Sequence, residues 1–406
     1  MQRSILMLGG SRQQVVAIEC AKRLGLRTVL CDYLPDNPGQ YSADVFYQES
    51  TTDRELMLEI ARRENVSGVL AYASDPAAPT AAYVAEQLGL PTNSLAAVEV
   101  LSNKHLFREH LHKVGLPSPK TAPLSTDTTA DEALRMAEEA GMHYPVVIKP
   151  TDSSGSKGIS VIETPDAAAF ETALAHAAEF SRNKVLLLEE FIQKTFPRVI
   201  GGDIFVVDGE VRFWGLMSCL RNESLGGLVP IGERNPSGLS VSQERAVKEV
   251  VQRLVSSLDL KFGELNVEVM VGEGDTPYFL ELGARAGGNM IPVQLSDISG
   301  IDLVEANVRY AVGDHSLDVR FDGNDLACAT YVLHADRAGT FAGVKVAPEI
   351  EPCIYRRVMY VDEGGQTESF DGANKALGIF FLRFDSVDAL EAAMADIVEL
   401  VSPIIV

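Results

Sequence analysis

The chain has 406 residues, and 57 Asp+Glu against 35 Lys+Arg give it a formal charge of −22 at pH 7. A surface that negative repels phosphate backbones and excludes a general nucleic-acid binder, while 46% hydrophobic residues exclude a largely disordered chain. No apolar run reaches the roughly 18–20 residues of a membrane span, the N-terminal run is too short for a secretory leader, and five scattered cysteines without a CxxC pair read as reduced thiols. The expectation is a cytoplasmic protein of roughly two or three domains.

In chain order, Ile5–Leu8 reads as a buried strand, Gly9-Gly10-Ser11 as a turn, residues 15–24 as an amphipathic helix and Thr28–Cys31 as the next strand. A helix at Glu55–Glu64, a strand at Gly68–Tyr72 and a helix at Ala77–Leu88 follow. Alternation of this kind implies a parallel sheet covered on both faces. Helical pieces at Leu95–Leu101 and Asn103–Val114 end at Gly115-Leu116-Pro117-Ser118-Pro119, a plausible boundary. Beyond it come a polar stretch, a helix at Asp131–Ala140, a strand at Pro145–Lys149, a polar loop at Thr151–Gly158, a strand at Ile159–Ile162, a helix at Pro165–Ala178 and a strand at Val185–Leu188. The third section is strand-rich. Asp203–Val207 and Val211–Met217 flank the turn signal Asp208-Gly209, a Gly/Pro/Asn-rich loop is expected over residues 221–240, and a helix at Gln243–Leu258 precedes strands Leu265–Val271 and Tyr278–Leu282. A helix near Leu303–Val312, short strands and a final helix at Val387–Leu400 complete the reading.

The strongest chemical signal is a pair of acids in one hairpin. In Asn266-Val267-Glu268-Val269 the alternation of a strand puts Glu268 on the face opposite its valine neighbours. With the turn centred between Gly274 and Asp275, residue 271 meets 278 and Glu268 meets Glu281, their Cβ atoms roughly 5 Å apart. Two such charges repel by roughly 3 kcal/mol at an effective dielectric of about 20, and a divalent cation reverses the sign. Oxygen ligands alone point to Mg²⁺ or Mn²⁺. A register slipped by one would instead leave the acids apart in solvent. The following Gly283-Ala284-Arg285-Ala286-Gly287-Gly288-Asn289 sets a guanidinium suited to phosphate or carboxylate beside them.

A second signal is Lys149, which closes a buried strand before the loop Thr151–Gly158. An ammonium and bare N–H groups suit phosphates, although the loop is not a Walker A sequence. The turn at Gly9-Gly10 lacks the GxGxxG pattern of a dinucleotide site. Arg221 and Arg234 either hold a substrate carboxylate or are solvated loop residues. Asp75, after the third strand of the first section, touches an amine or caps the next helix.

In their order along nearly the whole chain, Asn103-Lys104 with Arg108, Val147-Ile148-Lys149-Pro150 with its loop, Glu189-Glu190-Phe191-Ile192, Gly202-Asp203, and Asn266-Val267-Glu268 with Glu281-Leu282-Gly283-Ala284-Arg285 resemble the ATP-grasp superfamily. The run Gly201–Gly209 and the tail from Gly339 are most similar to the branch containing bacterial L-amino-acid ligases. The resemblance implies an α/β fold in three parts: a Rossmann-like pre-ATP-grasp domain (residues 1–118), an α+β lid (119–192) and a C-terminal ATP-grasp domain with a β-rich extension (193–406). It implies ATP and Mg²⁺ (or Mn²⁺) as cofactors. ATP would be bound by Lys104, Lys149, the phosphate loop Ser153, Ser154, Gly155, Ser156 and Gly158, the adenine hinge Glu189, Glu190, Phe191 and Ile192, and Asp203 at the ribose. In the hinge the backbone, rather than the side chains of Glu189 and Ile192, reads the base.

The same resemblance makes Glu268 and Glu281 metal ligands, and Arg285, with Lys149, catalytic. Many relatives carry Asn two residues after the second acid; here that position is Gly283, and Asn266 is the substitute candidate. Asp75, Arg221, Arg234 and Asn289 are candidate substrate residues. The implied activity is ATP-dependent carboxylate–amine ligation through an acyl phosphate, with small-molecule carboxylate and amine substrates and a homodimeric assembly. Bicarbonate-using carboxylase or carbamoyl-phosphate chemistry, and a non-catalytic nucleotide-binding regulator, are the competing expectations.

Overall fold

The structure is a computed structural model that describes residues 2–153, 157–222 and 229–406. Four parallel strands open the chain, β1 (Ser4–Leu8), β2 (Arg27–Cys31), β3 (Val45–Tyr47) and β4 (Gly68–Leu70), ordered β3-β2-β1-β4. Helices α1 (Val15–Arg23), α2 (Arg54–Arg63) and α3 (Ala78–Leu88) connect and cover them. Strands buried on both sides are continuous apolar runs, as in Ile5–Leu8. Helix α4 (Leu95–Ser102) leads to α5 (Lys104–Lys113), whose cap Asn103 accepts from the N–H groups of His105 and Leu106. That cap makes Lys104 the first residue of α5.

A second unit follows, with strands β5 (Thr121–Ser125), β6 (Val146–Pro150), β7 (Ser160–Ile162) and β8 (Val185–Glu190) in the antiparallel order β5-β8-β6-β7. Helices α6 (Ala130–Glu139) and α7 (Ala167–Phe180) pack on this sheet around Phe170. Strand β5 lies in the stretch read from sequence as merely polar. It is an edge strand, where Pro123 removes no needed donor.

The largest sheet takes β9 (Ile200–Val207), β10 (Glu210–Arg221), β11 (Pro230–Asn235), β12 (Phe262–Val271), β13 (Pro277–Gly283) and β14 (Cys328–Leu333). After β15 (Gly339–Val346) it adds β16 (Ile354–Met359) and, beyond β17 (Gln366–Thr367), β18 (Gly378–Arg383). Its order is β13-β12-β9-β10-β11-β14-β18-β16, and β19 (Val401–Ile405) joins a small sheet β17-β15-β19. Helix α8 (Val241–Ser257) packs Val247, Val251 and Leu254 on one face. Helices α9 (Ile291–Ser299) and α10 (Leu303–Ala311) pack against Phe205 and Phe213 on the other.

Two expectations are corrected here. The stretch 221–240 is not all loop, because β11 is an interior strand held between β10 and β14 by partners about a hundred residues apart, such as Asn235 with Cys328. The terminal helix stops early: α11 (Val387–Ala395) breaks at Asp396, and after the short α12 (Ile397–Leu400) the chain runs out as β19.

Candidate functional site

The two hairpin acids face each other. Glu268 is paired with Glu281 across β12 and β13, but the turn is one residue out of the expected register: Val271 meets Pro277, not Tyr278. The turn is a tight helical loop at Glu273–Asp275 with Gly274 at φ 66°, and a bulge between Glu268 and Val269 restores the acid pairing. Both side chains keep access to a cleft, at 29% for Glu268 and 31% for Glu281. Burial raises the Glu281 pKa, and Asp75 and Glu268 add to this while Lys104 opposes it. Arg221 donates to Glu268 Oε2 at 3.1 Å, and Lys104 Nζ stands 4.0 Å from Glu281 Oε2.

The cleft holds two adjoining cavities that share Asp75, Pro76 and Glu281. One, of about 290 Å³, reaches Lys104, Asp152, Ser153 and Arg182. The other, of about 280 Å³, is lined by Gly201, Gly202, Glu233, Asn266, Glu268, Arg285 and Asn289. Lys104 Nζ also donates to the Ser153 carbonyl, which ties the start of α5 to the loop after β6. Ser153 and Gly158 are at the two ends of the loop; Ser154, Gly155 and Ser156 lie outside the described residues.

Arg285 is gripped by Asp75, Nε to Oδ1 at 2.6 Å and Nη2 to Oδ2 at 2.8 Å. Burial raises the Asp75 pKa, but Arg285 and Lys104 more than reverse this and hold it below the usual carboxylate range. Asp75 thus orients the guanidinium and is not left open for an amine. A Cβ on Gly283 would lie 3.2 Å from Asp75 Oδ1 and 3.3 Å from Arg285 Cζ. The bare position two residues after Glu281 therefore accommodates this ion pair.

Lys149 is buried with its Nζ 2.6 Å from Glu189 Oε1, and Arg108, with no exposed surface, puts Nε 2.6 Å from Glu189 Oε2. Burial pushes Glu189 up, but Arg108 and Lys149 overturn this and bring it down to about 2. Burial lowers Lys149 to about 8, with Glu189 opposing. The Glu189 side chain, expected to matter little, is the centre of this triad, and Arg108 Nη2 also reaches the Leu280 carbonyl beside Glu281. Past it, Glu190 accepts from the His143 N–H, Phe191 donates to the Pro145 carbonyl, and Ile192 is buried.

Two candidates sit elsewhere than expected. Asp203 is fully buried and accepts from Asn266 Nδ2 and the Gly287 N–H, each at 2.8 Å, so it braces the loop after Glu281. Its pKa is raised, chiefly by burial, and Glu264 beside it is raised well above the ordinary range by burial and by Asp203. Arg234 faces away from the cleft and pairs with Glu391 at 3.3 Å, because alternation along β11 turns its neighbour Glu233 inward instead. Glu233 escaped the sequence reading, since nothing local distinguishes it from a loop acid. Asn289, in a left-handed turn at φ 50°, lines the cavity and donates its N–H to Gln13.

The residues fit a magnesium ion. Among the described residues no three His, Cys, Asp or Glu side chains gather as a protein-only metal cage. Two facing carboxylates and an amide, with a nucleotide supplying the other oxygens, are the donor set that Mg²⁺ takes. Asn266 lines the same cavity, with its Nδ2 donating to Gly202 O and Asp203. Among the described residues no helix is long and apolar enough to cross a membrane.

Residues 103–319 match the family model of the carbamoyl-phosphate synthase L chain, ATP binding domain. The carbamoyl phosphate synthase large chain of Thermotoga petrophila is 26% identical over 295 residues, which cover 71% of this chain and 25% of that protein. The formate-dependent phosphoribosylglycinamide formyltransferase of a Synechococcus species is 33% identical over 194 residues, 47% of each. The matched part thus spans a quarter to a half of these relatives. Among solved structures, an L-amino acid ligase from Bacillus licheniformis superposes with TM-score 0.80 at 19% identity, covering 100% of this chain and 99% of that one. A phosphoribosylglycinamide synthetase from Anaerococcus prevotii does so with TM-score 0.78 at 18% identity, covering 100% of both.

Proposed function

From the premise that the chain belongs to the ATP-grasp superfamily, through the ATP-binding domain of its carbamoyl-phosphate synthase L chain family, we propose that it is an ATP-dependent carboxylate–amine ligase. The observation that carries this reading is the Glu268–Glu281 pair, set across one hairpin in a cavity shared with Arg285. We assign residues 1–118, 119–192 and 193–406 to the pre-ATP-grasp domain, the lid and the ATP-grasp domain, acting as a cytoplasmic homodimer.

A carboxylate is a poor acyl donor because its leaving group would be oxide. Transfer of the γ-phosphoryl group of ATP to the carboxylate makes phosphate the leaving group, and an amine then forms the amide as ADP and phosphate depart. No enzyme nucleophile is needed; positioning and charge neutralisation do the work. Glu268, Glu281 and Asn266 would hold magnesium, which would supply charge compensation for the phosphates. Lys104 and Lys149 neutralise the phosphate side, and two cations around the single Glu189 carboxylate leave that corner net positive. Arg285, fixed by Asp75, presents its guanidinium to the acyl side.

The test is a phosphate-release screen over paired carboxylates and amines, with mass spectrometry of products. ADP formation that needs both partners is expected. ADP formation that needs bicarbonate alone, or tight ATP binding with no turnover on the whole panel, would overturn the ligase reading.

A further inference from the structure

Glu233 sits in the acid-lined cavity and has no task in the scheme above. Its backbone is pinned: the N–H donates to Thr330 Oγ1 at 3.1 Å, and the carbonyl accepts from Gln294 Nε2 at 3.2 Å. Thr330 and Gln294 are themselves fully buried and bonded to each other at 3.1 Å. The residue is only 4% exposed, yet its Oε2 accepts no hydrogen bond among the described residues. The Cys219 thiol beside it is a weak donor. The carboxyl reaches the cavity past a glycine, since a Cβ on Gly201 would lie 3.2 Å from that oxygen. A pinned backbone with a buried acid whose Oε2 is unpartnered among the described residues, in a 280 Å³ cavity beside the hairpin acids, is a costly arrangement unless a cationic ligand completes it.

Resting on the ligase reading, we propose that Glu233 receives the ammonium group of the amine substrate and takes its proton. The proton passes from R–NH₃⁺ to the carboxylate, and the nitrogen lone pair forms the C–N bond to the acyl carbon. The C–O bond to phosphate breaks, its electron pair leaves with the phosphate, and the second nitrogen proton goes to that phosphate. Glu233 then returns its proton to solvent.

The surroundings suit a base working near neutrality. Burial pushes the carboxyl up to about 8, Glu268 on β12 and Asp203 on β9 raise it, and Cys219 and Arg221 on β10 lower it. A bound ammonium supplies the missing positive charge and favours the ionised form.

Hydroxylamine separates this step from the one before it. It is already neutral near pH 7, carries no ammonium to be recognised, and captures an acyl phosphate as a hydroxamate. With MgATP and the carboxylate–amine pair found by the screen, E233Q is expected to lower amide formation by about 10²–10⁴-fold. Hydroxamate formation should fall far less, so the hydroxamate-to-amide ratio rises at least tenfold. If E233Q does not fold, E233D carries the test, because drawing the carboxyl back by one methylene should shift the ratio in the same direction. An unchanged ratio in a folded variant overturns the role of Glu233. Failure of the wild-type protein to form hydroxamate from any carboxylate overturns the ligase reading itself.

Discussion

Two clusters of buried charge differ in how completely they are neutralised. In the Arg108–Glu189–Lys149 triad, one carboxylate is held at 2.6 Å by each of two cations from different elements. The carboxylate there is fully answered, and the triad ties α5, β6 and β8 together. In the cavity between β11, β12 and β13, three carboxyls, those of Glu233, Glu268 and Glu281, lean on more distant cations, and Glu233 Oε2 has no partner among the described residues. The first cluster satisfies its carboxylate without a ligand but keeps one positive charge in excess, with Arg108 Nη1 unpartnered among the described residues. The second is unfinished, and a bound cation would relieve its repulsion.

The contrast breaks most visibly if the acids can be removed without loss. Glu281→Ala or Glu268→Ala should lower ATP-dependent turnover by about 10³-fold. For Glu281→Ala the thermal midpoint should stay unchanged or rise, because a like-charge contact disappears, whereas for Glu268→Ala the loss of the Arg221 ion pair offsets that gain. An assay of ADP release beside a melting curve reads both.

The converse is expected at the triad. Glu189→Gln removes the carboxylate that compensates two buried cations and should cost about 3–5 kcal/mol in urea unfolding. The pH dependence follows the same logic. The folded pKa of Glu189, about 2, lies below its ordinary value of 4.5, so its contribution is fully present above pH 4.5 and lost as pH falls toward 2. Acid titration of the wild type should show this loss, and E189Q should lack that part of it.

Asp75→Asn is expected to lower kcat by about 10²-fold with little change in KM for ATP, because Arg285 keeps its charge but loses its two-point anchor. The smallest effect belongs to Asn266→Ala, roughly a tenfold higher Mg²⁺ requirement for turnover. An unchanged Mg²⁺ titration would remove Asn266 from the ion.

Much of this was readable in the residues themselves. The doubly covered first sheet follows from short apolar runs alternating with helical stretches, whereas strand alternation reaches the Glu268–Glu281 pairing through a register that the turn does not keep and the bulge restores. What sequence did not carry was non-local. Strand β11 lies among Gly, Pro and Asn because its partners are β10 and β14, so Glu233 and Arg234 could not be sorted to their faces. The Asp75–Arg285 contact joins residues 210 positions apart, and either alone suggests a ligand. Asp203 looked accessible because nothing local announces that Asn266 and the Gly287 N–H will enclose it.

The bulge beside Glu268 has an architectural consequence. Alignment of the two acids is set downstream of the hairpin tip, whose residues 273–275 are exposed. A short peptide tag inserted after Gly274 should therefore be accommodated at the surface without sliding one strand past the other, giving a handle for immobilisation or fluorescent labelling that leaves the catalytic alignment in place.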